Sequence, residues 1–228
     1  VWQGSPEEEH IVSALNSIIV LVHMGDFVMD IFEAIKTRRS IRVYKKHRVP
    51  EDLILKVIDA ARYAPSGANL QPWKFIVVTD PEMRKKIGAG ARFYFIKSHH
   101  VSEAPCLIVC LADLKKSKWA IIDTSMACQN LMLAAHASGL ATCFIGIFDE
   151  EQVKKELEIP DNYKVIGLIT LGFAAQNERM PARIPLKKII YWERFGSETA
   201  FKRARDFLSS GPVTIFDKVL RTILRFRR

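Results

Sequence analysis

Two hydrophobic periods alternate along this chain. From Asp30 the apolar positions Ile31, Ala34 and Ile35 recur at helical spacing. Asp30 and Glu33 supply residue types of a capping box ahead of them. A second helical pattern opens at Val49-Pro50-Glu51-Asp52, where a proline and two early acids suit a helix start. Leu53, Val57, Ile58 and Ala61 continue it, and Pro65 ends it. Phe75 to Thr79 is a short β-branched run that predicts a buried strand. Asp80-Pro81-Glu82 begins another helix, which fades at Gly88-Ala89-Gly90. Cys106 to Ala112 predicts a second strand. Trp119 to Ser138 is the longest helical pattern, apolar around Met126, Leu131, Leu133, Ala134 and Ala135. A helix apolar on most faces belongs at the centre of a core or in a subunit interface. Gly139 ends it. Ala141 to Phe148 and Val165 to Phe173 predict two further strands, separated by a short helix that Asp149-Glu150-Glu151 opens. Ala91 to Glu103 has no clean period and reads as a mobile lid, and Arg183 to Trp192 as an irregular arm.

Helices come first, then strands separated by helices. That order predicts an α+β or α/β sandwich, with a central mixed or antiparallel sheet flanked by helices. The 228 residues suit one sizeable domain, and 49% hydrophobic content with mean hydropathy +0.04 argues for a packed core. No Gly-x-Gly-x-x-Gly follows a strand and no P-loop is present, so a dinucleotide fold is not expected.

Both ends differ from the middle. Residues 1–28 read as a helical N-terminal extension. Glu7-Glu8-Glu9 precede an apolar run from Ile11 to Met24. The acidic start is wrong for a signal peptide, and the run is too short to span a membrane. Residues 197–228 read as a basic amphipathic tail. The net charge is +9, and Phe201 to Arg228 holds eight Lys/Arg against two Asp, or +6 of it. A solvated face or a dimer-wrapping segment is the expectation there, with peripheral contact to an anionic membrane surface as the sharper alternative. No nucleic-acid motif accompanies the charge, so no nucleic-acid partner is expected. Cys106, Cys110, Cys128 and Cys143 lie in apolar surroundings without a Cys-x-x-Cys pair. Buried free thiols in a reducing cytoplasm follow. His99-His100 lacks a third ligand at helical spacing, which argues against a metal.

Candidate chemistry concentrates in two stretches. Thr37-Arg38-Arg39-Ser40-Ile41-Arg42-Val43-Tyr44 places three guanidinium groups and a hydroxyl within five residues. The planar fork of Arg suits a phosphate, so a bound anion would explain the cluster, and so would a solvated basic turn. Some twenty residues later comes Ala64-Pro65-Ser66-Gly67-Ala68-Asn69-Leu70-Gln71-Pro72-Trp73.

Together these stretches resemble the FMN-dependent nitroreductase family. The resemblance runs from about Met29 to about Gly196, a single domain of 29–196. It includes Gln129-Asn130-Leu131-x-Leu133-Ala134-Ala135, Gly139-Leu140-Ala141-Thr142, and a late Gly172 followed by Arg183-x-Pro185-Leu186. It implies an interlocked homodimer with flavin at the subunit interface, FMN as cofactor and NADH or NADPH as donor. A nitroaromatic, a quinone or a similar small electrophile would be the acceptor. Arg38 and Ser40 would hold the phosphate and ribityl chain, with Arg39 contributing chiefly through its backbone. Arg42 would lie by the pyrimidine edge, where a cation stabilises the anionic reduced ring. Pro65, Ser66, Gly67 and Asn69 match the loop laid against the ring by the partner subunit, while Gln71 and Trp73 would anchor that loop in the core. Ile145 and Gly146 match the strand end beside the reactive ring nitrogen. Arg183 matches a late phosphate contact. The family often has a second cation two residues earlier, where this chain has Pro181. Lys97 and His100 fall where the family can place a polar flavin or substrate contact. Dehalogenating members carry a longer lid than the segment between Met83 and Pro105, which argues against that activity. The alternative is a non-enzymatic flavin-binding or membrane-associated protein on the same scaffold.

Overall fold

Cys106 to Ala112 is apolar at every position, and such a strand needs cover on both faces. In the structure, a computed structural model, this strand lies inside the sheet with helices on either side. Residues 29–93, 96–97 and 99–196 are described. The predicted N-terminal extension (1–28) and basic tail (197–228) lie outside them, as do Tyr94, Phe95 and Ser98. The described residues fall into two units that divide between Met180 and Pro181.

In chain order the first unit runs α1 (Ile31–Thr37), α2 (Glu51–Ala61), a 3-10 turn (Gly67–Asn69), β1 (Trp73–Val78), α3 (Pro81–Ala89), β2 (Arg92–Phe93) and β3 (Ile96–Lys97). It continues with α4 (His100–Glu103), β4 (Cys106–Asp113), α5 (Ala120–Ala137), β5 (Ala141–Ile145), α6 (Glu150–Glu156) and β6 (Tyr163–Gly172). The main sheet has the order β1-β4-β6-β5, and every strand pair in it is antiparallel. Of the mixed or antiparallel sheet expected, the antiparallel form is the one found. The parallel link among the described residues is an isolated bridge, Ser40 to Thr142.

β4 shows how the layers form. Its residues alternate, so Cys106, Ile108 and Cys110 join one cluster and Leu107, Val109 and Leu111 the other. On the first face α2 and α5 contribute Ile54, Val57, Ala61, Ala127, Cys128 and Leu131. On the second, Ile87 of α3, Val101 of α4 and Val153 of α6 close the core. All four cysteines are buried free thiols, as expected.

Several local expectations change. The capping box at Asp30 is not made: Asp30 precedes the helix but its side chain makes no cap bond. The start of α1 is open, with Phe32 66% exposed. Asp80 and Asp149 do cap, accepting from Met83 N at 2.7 Å and Gln152 N at 3.0 Å. Pro50 sits at the N-cap of α2, one place before the helix. β5 stops at Ile145, and Phe148 bridges Ala91 instead of extending the strand. The stretch expected to be a lid carries a two-stranded ribbon, β2 with β3, and the helical turn α4 with Val101 and Ala104 buried. The 3.6- and 2-residue periods cancel over so short a mixture, which hid these elements. In the second unit, Leu186–Lys188 forms a 3-10 turn within an otherwise irregular arm.

Candidate functional site

The Arg cluster begins where α1 ends. Arg38 N donates to Ala34 O at 3.0 Å, which closes the helix, and the chain then turns into an extended strap. Ile41 N donates to Thr142 O at 3.0 Å, Lys45 N to Phe173 O at 2.8 Å and Ala175 N to Val43 O at 2.9 Å. The strap thus crosses from β5 to the exit of β6. Tyr44 pins it. Its hydroxyl donates to Ile41 O at 2.5 Å and lies 2.6 Å from Thr170 Oγ1. Gly172 makes room for that ring, since a Cβ there would stand 2.8 Å from Tyr44 Cδ1.

A cavity of about 480 Å³ opens beside this strap, within the ~300–1,000 Å³ usual for small-molecule pockets. Thr37, Arg38 and Arg39 line it from the end of α1, His136 from the end of α5, and Thr142 from β5. Glu178 lines it too, so its charges are mixed with an excess of cations. Two polar atoms here are buried without a hydrogen-bond partner, Thr142 Oγ1 and Arg39 Nε. An unpaired buried polar group is costly, so each of these two calls for an explanation beyond the stability of the fold. The Nη1 of Arg39 is already committed, donating to Lys36 O at 2.7 Å and to Arg38 O at 2.8 Å.

Arg42 points elsewhere along the strap. Its Nη1 lies 3.4 Å from Ser40 O. Its charge reaches Cys143 and His100. His100 is held below the ordinary histidine pKa, first by burial and then by Arg42, against the pull of Glu103; its Nε2 is buried without a partner. Ile145 is packed in the second core cluster, and Gly146 follows it, exposed, just beyond the strand.

The second predicted stretch is not part of this cavity. Gly67 N donates to Asp123 Oδ2 at 3.2 Å, near the start of α5. Ser66 Oγ accepts from Gln71 N at 3.0 Å, and Ala68, Asn69 and Gln71 all adopt positive φ. Pro65 to Gln71 is therefore a tightly turned stretch, with three non-glycine residues at positive φ. Gln71 stays exposed and bonds Asn69, Nε2 to Oδ1 at 3.2 Å, so it braces the loop from outside and is not a core anchor. Trp73 is in the core, as expected. Asp123 and His136 are 13 residues apart on one helix, or about 20 Å at 1.5 Å per residue. The loop and the Arg cavity thus stand at opposite ends of α5 in one chain. Arg183 belongs to the second unit, where its Nη1 donates to Pro181 O at 2.9 Å.

Four contributors escaped the sequence reading: Asp123, His136, Thr37 and Thr142. The first two were legible as the rare titratable groups in an apolar helix, whereas the two threonines stood inside the quoted motifs with no role assigned to them.

The model of the nitroreductase family matches residues 35–173, more than half of the chain, and the chain belongs to that family. A relative from Methanothermobacter thermautotrophicus, provisionally named NADH dehydrogenase/NAD(P)H nitroreductase, is 38% identical over 186 residues, covering 75% of this chain and 95% of that one. The solved FMN-dependent nitroreductase of Clostridium difficile R20291 is 30% identical, with TM-score 0.64, covering 71% of this chain and 98% of the other. Iodotyrosine deiodinase 1 of Sus scrofa is also similar, 27% identical over 223 residues, covering 83% of this chain and 77% of that protein.

Proposed function

We propose that this protein is an FMN-dependent oxidoreductase that takes reducing equivalents from NADH or NADPH and passes them to a nitroaromatic, quinone or similar electrophile. The observation that carries the proposal is the Arg38 cavity, where Thr142 Oγ1 and Arg39 Nε are buried and unpartnered. Such donors suit a phosphate monoester, which offers several strong acceptor oxygens. When bound, FMN would supply the hydride chemistry. Arg38, Ser40 and Thr142 would hold its phosphate and sugar chain, with Arg39 shaping the turn and Arg183 adding a late phosphate contact. Arg42 would place a positive charge where the ring gains electron density. Ile145 and Gly146 would present backbone beside the ring.

The loop of Pro65, Ser66, Gly67 and Asn69 cannot reach that cavity in its own chain, so a second copy would supply it. The proposal therefore includes a homodimer, in which apolar side chains such as Phe32 (66% exposed) and Ile122 (53% exposed) become covered. Among the described residues no helix is long and apolar enough to cross a membrane. Cytoplasmic placement is part of the proposal, as is a tail that wraps the dimer or touches a membrane surface. Dehalogenation is the second reading, motivated by the deiodinase relative. We favour nitro and quinone acceptors because α3, the β2–β3 ribbon and α4 follow one another within the short stretch 81–103. Incubation with iodotyrosine and a chemical reductant should release no iodide, and steady release would favour dehalogenation.

Flavin retention tests the cofactor assignment. The double variant Arg38→Ala, Arg183→Ala should purify without flavin while the parent protein retains it. Full retention by the variant would refute the phosphate site.

A further inference from the structure

His136 has no part in the chemistry described so far, yet its place is defined. Its Nε2 lies 2.8 Å from Thr37 Oγ1. The same oxygen lies 2.6 Å from Glu33 O. A carbonyl oxygen only accepts, so the threonine proton points at Glu33. Thr37 Oγ1 must then accept from His136, which puts a proton on Nε2 and leaves Nδ1 as the nitrogen that titrates. The contact ties the last turn of α5 to the last residue of α1, immediately before Arg38 and Arg39. The ring also lines the cavity those arginines line.

We infer that His136 is a positioning residue of this cavity: it fixes the Arg38–Arg39 turn through Thr37, and it takes up a proton when a phosphate monoester is bound. The inference rests on the FMN assignment above. In the flavin-free protein the imidazole is held below its ordinary pKa, first by burial and then by Arg38 and Arg39, while Glu33 pulls the other way. Glu178, lining the same cavity from beyond β6, adds a second acid. A phosphate dianion held in this cavity would offset the repulsion from the arginines, so the imidazolium becomes the favoured form. The proton comes from solvent to Nδ1, and nothing is oxidised or reduced. By linkage, phosphate affinity gains from His136 as pH falls toward the histidine range, and loses that gain above it.

Histidine titration by NMR on the full chain tests this, with FMN, with saturating riboflavin as the phosphate-free control, and with no ligand. The His136 signal is assigned by its loss in His136→Gln. FMN should raise its pKa by about one unit, a roughly tenfold change in proton affinity, and riboflavin should leave it nearly unmoved. Binding measurements give the positioning half. The Gln amide can still donate to Thr37, so His136→Gln should match the parent in FMN affinity at pH 8, whereas His136→Ala should bind up to about tenfold more weakly. The parent-to-Gln affinity ratio should widen toward pH 6, a ratio from which titration of the phosphate itself cancels. FMN bound with an unmoved His136, or an equal rise with riboflavin, would overturn this inference alone. A protein that takes up no FMN would overturn the cofactor assignment and this inference together.

Discussion

Thr142 carries a hydroxyl that the folded chain leaves unpaired, and that single group separates two demands on the sequence. Stability alone would favour valine, which has the same shape without the unpaired group. Thr142→Val should therefore leave the melting temperature of flavin-free protein unchanged or raised. It should weaken FMN binding about tenfold or more, since a hydrogen bond to a charged group contributes roughly 1.5–3 kcal/mol. A fall in melting temperature with unchanged FMN affinity would make Thr142 a packing residue. The two perturbed histidines make a further prediction. His100 and His136 are both held below the ordinary value, chiefly by burial. Below pH of about 6.5 the unfolded chain binds protons that the folded chain resists, so stability should fall as pH drops through that range. Chemical denaturation of flavin-free protein between pH 8 and 5.5 measures it, and His136→Gln should flatten part of the slope.

The strap from Ser40 to Lys45 and the loop from Pro65 to Asn69 carry the predicted chemistry, and each is held by a bond to a residue distant in sequence. Tyr44 closes the strap by bonding Ile41 O and Thr170. Burial and the lack of a cation strong enough to offset it keep that phenol protonated far above neutral pH. Tyr44→Phe should cost about 1–2 kcal/mol in denaturant unfolding, two ordinary hydrogen bonds. Asp123 holds the loop through Gly67 N. Asp123→Asn keeps an acceptor oxygen and should be mild, whereas Asp123→Ala should cost about 1–3 kcal/mol by orphaning a backbone donor. Equal effects of the two substitutions would mean that packing, not the Gly67 bond, is what Asp123 contributes. These anchors show where legibility stopped. β4 and α5 declared themselves through runs of apolar residues, and Arg38, Ser40 and Arg42 through charge density. Asp123 and Tyr44 act through partners 56 and 126 residues away, a relation that no local period records. The ribbon of β2 and β3 was missed because two-residue strands are too short to show alternation.

A single chain leaves the candidate site divided, with the Arg cavity at one end of α5 and the loop at the other. In the proposed homodimer, each loop would meet the other copy's cavity, and the apolar start of α1 and α5 would be covered. The double variant Phe32→Asp, Ile122→Asp should elute at monomer mass in size-exclusion chromatography and lose flavin, while the strands of the core keep the far-UV circular dichroism unchanged. A flavin-loaded monomer would show that one chain suffices. The central claim, that this chain is a flavin enzyme reduced by a nicotinamide, has a more direct test. It is the absorbance spectrum of the purified protein, recorded without oxygen before and after NADH or NADPH is added. Flavin bands that bleach with one donor are the expected result and would name that donor. Flavin bands that neither nicotinamide bleaches would contradict the reductase assignment, and a colourless protein that takes up no added FMN would contradict the phosphate assignment of the Arg38 cavity as well.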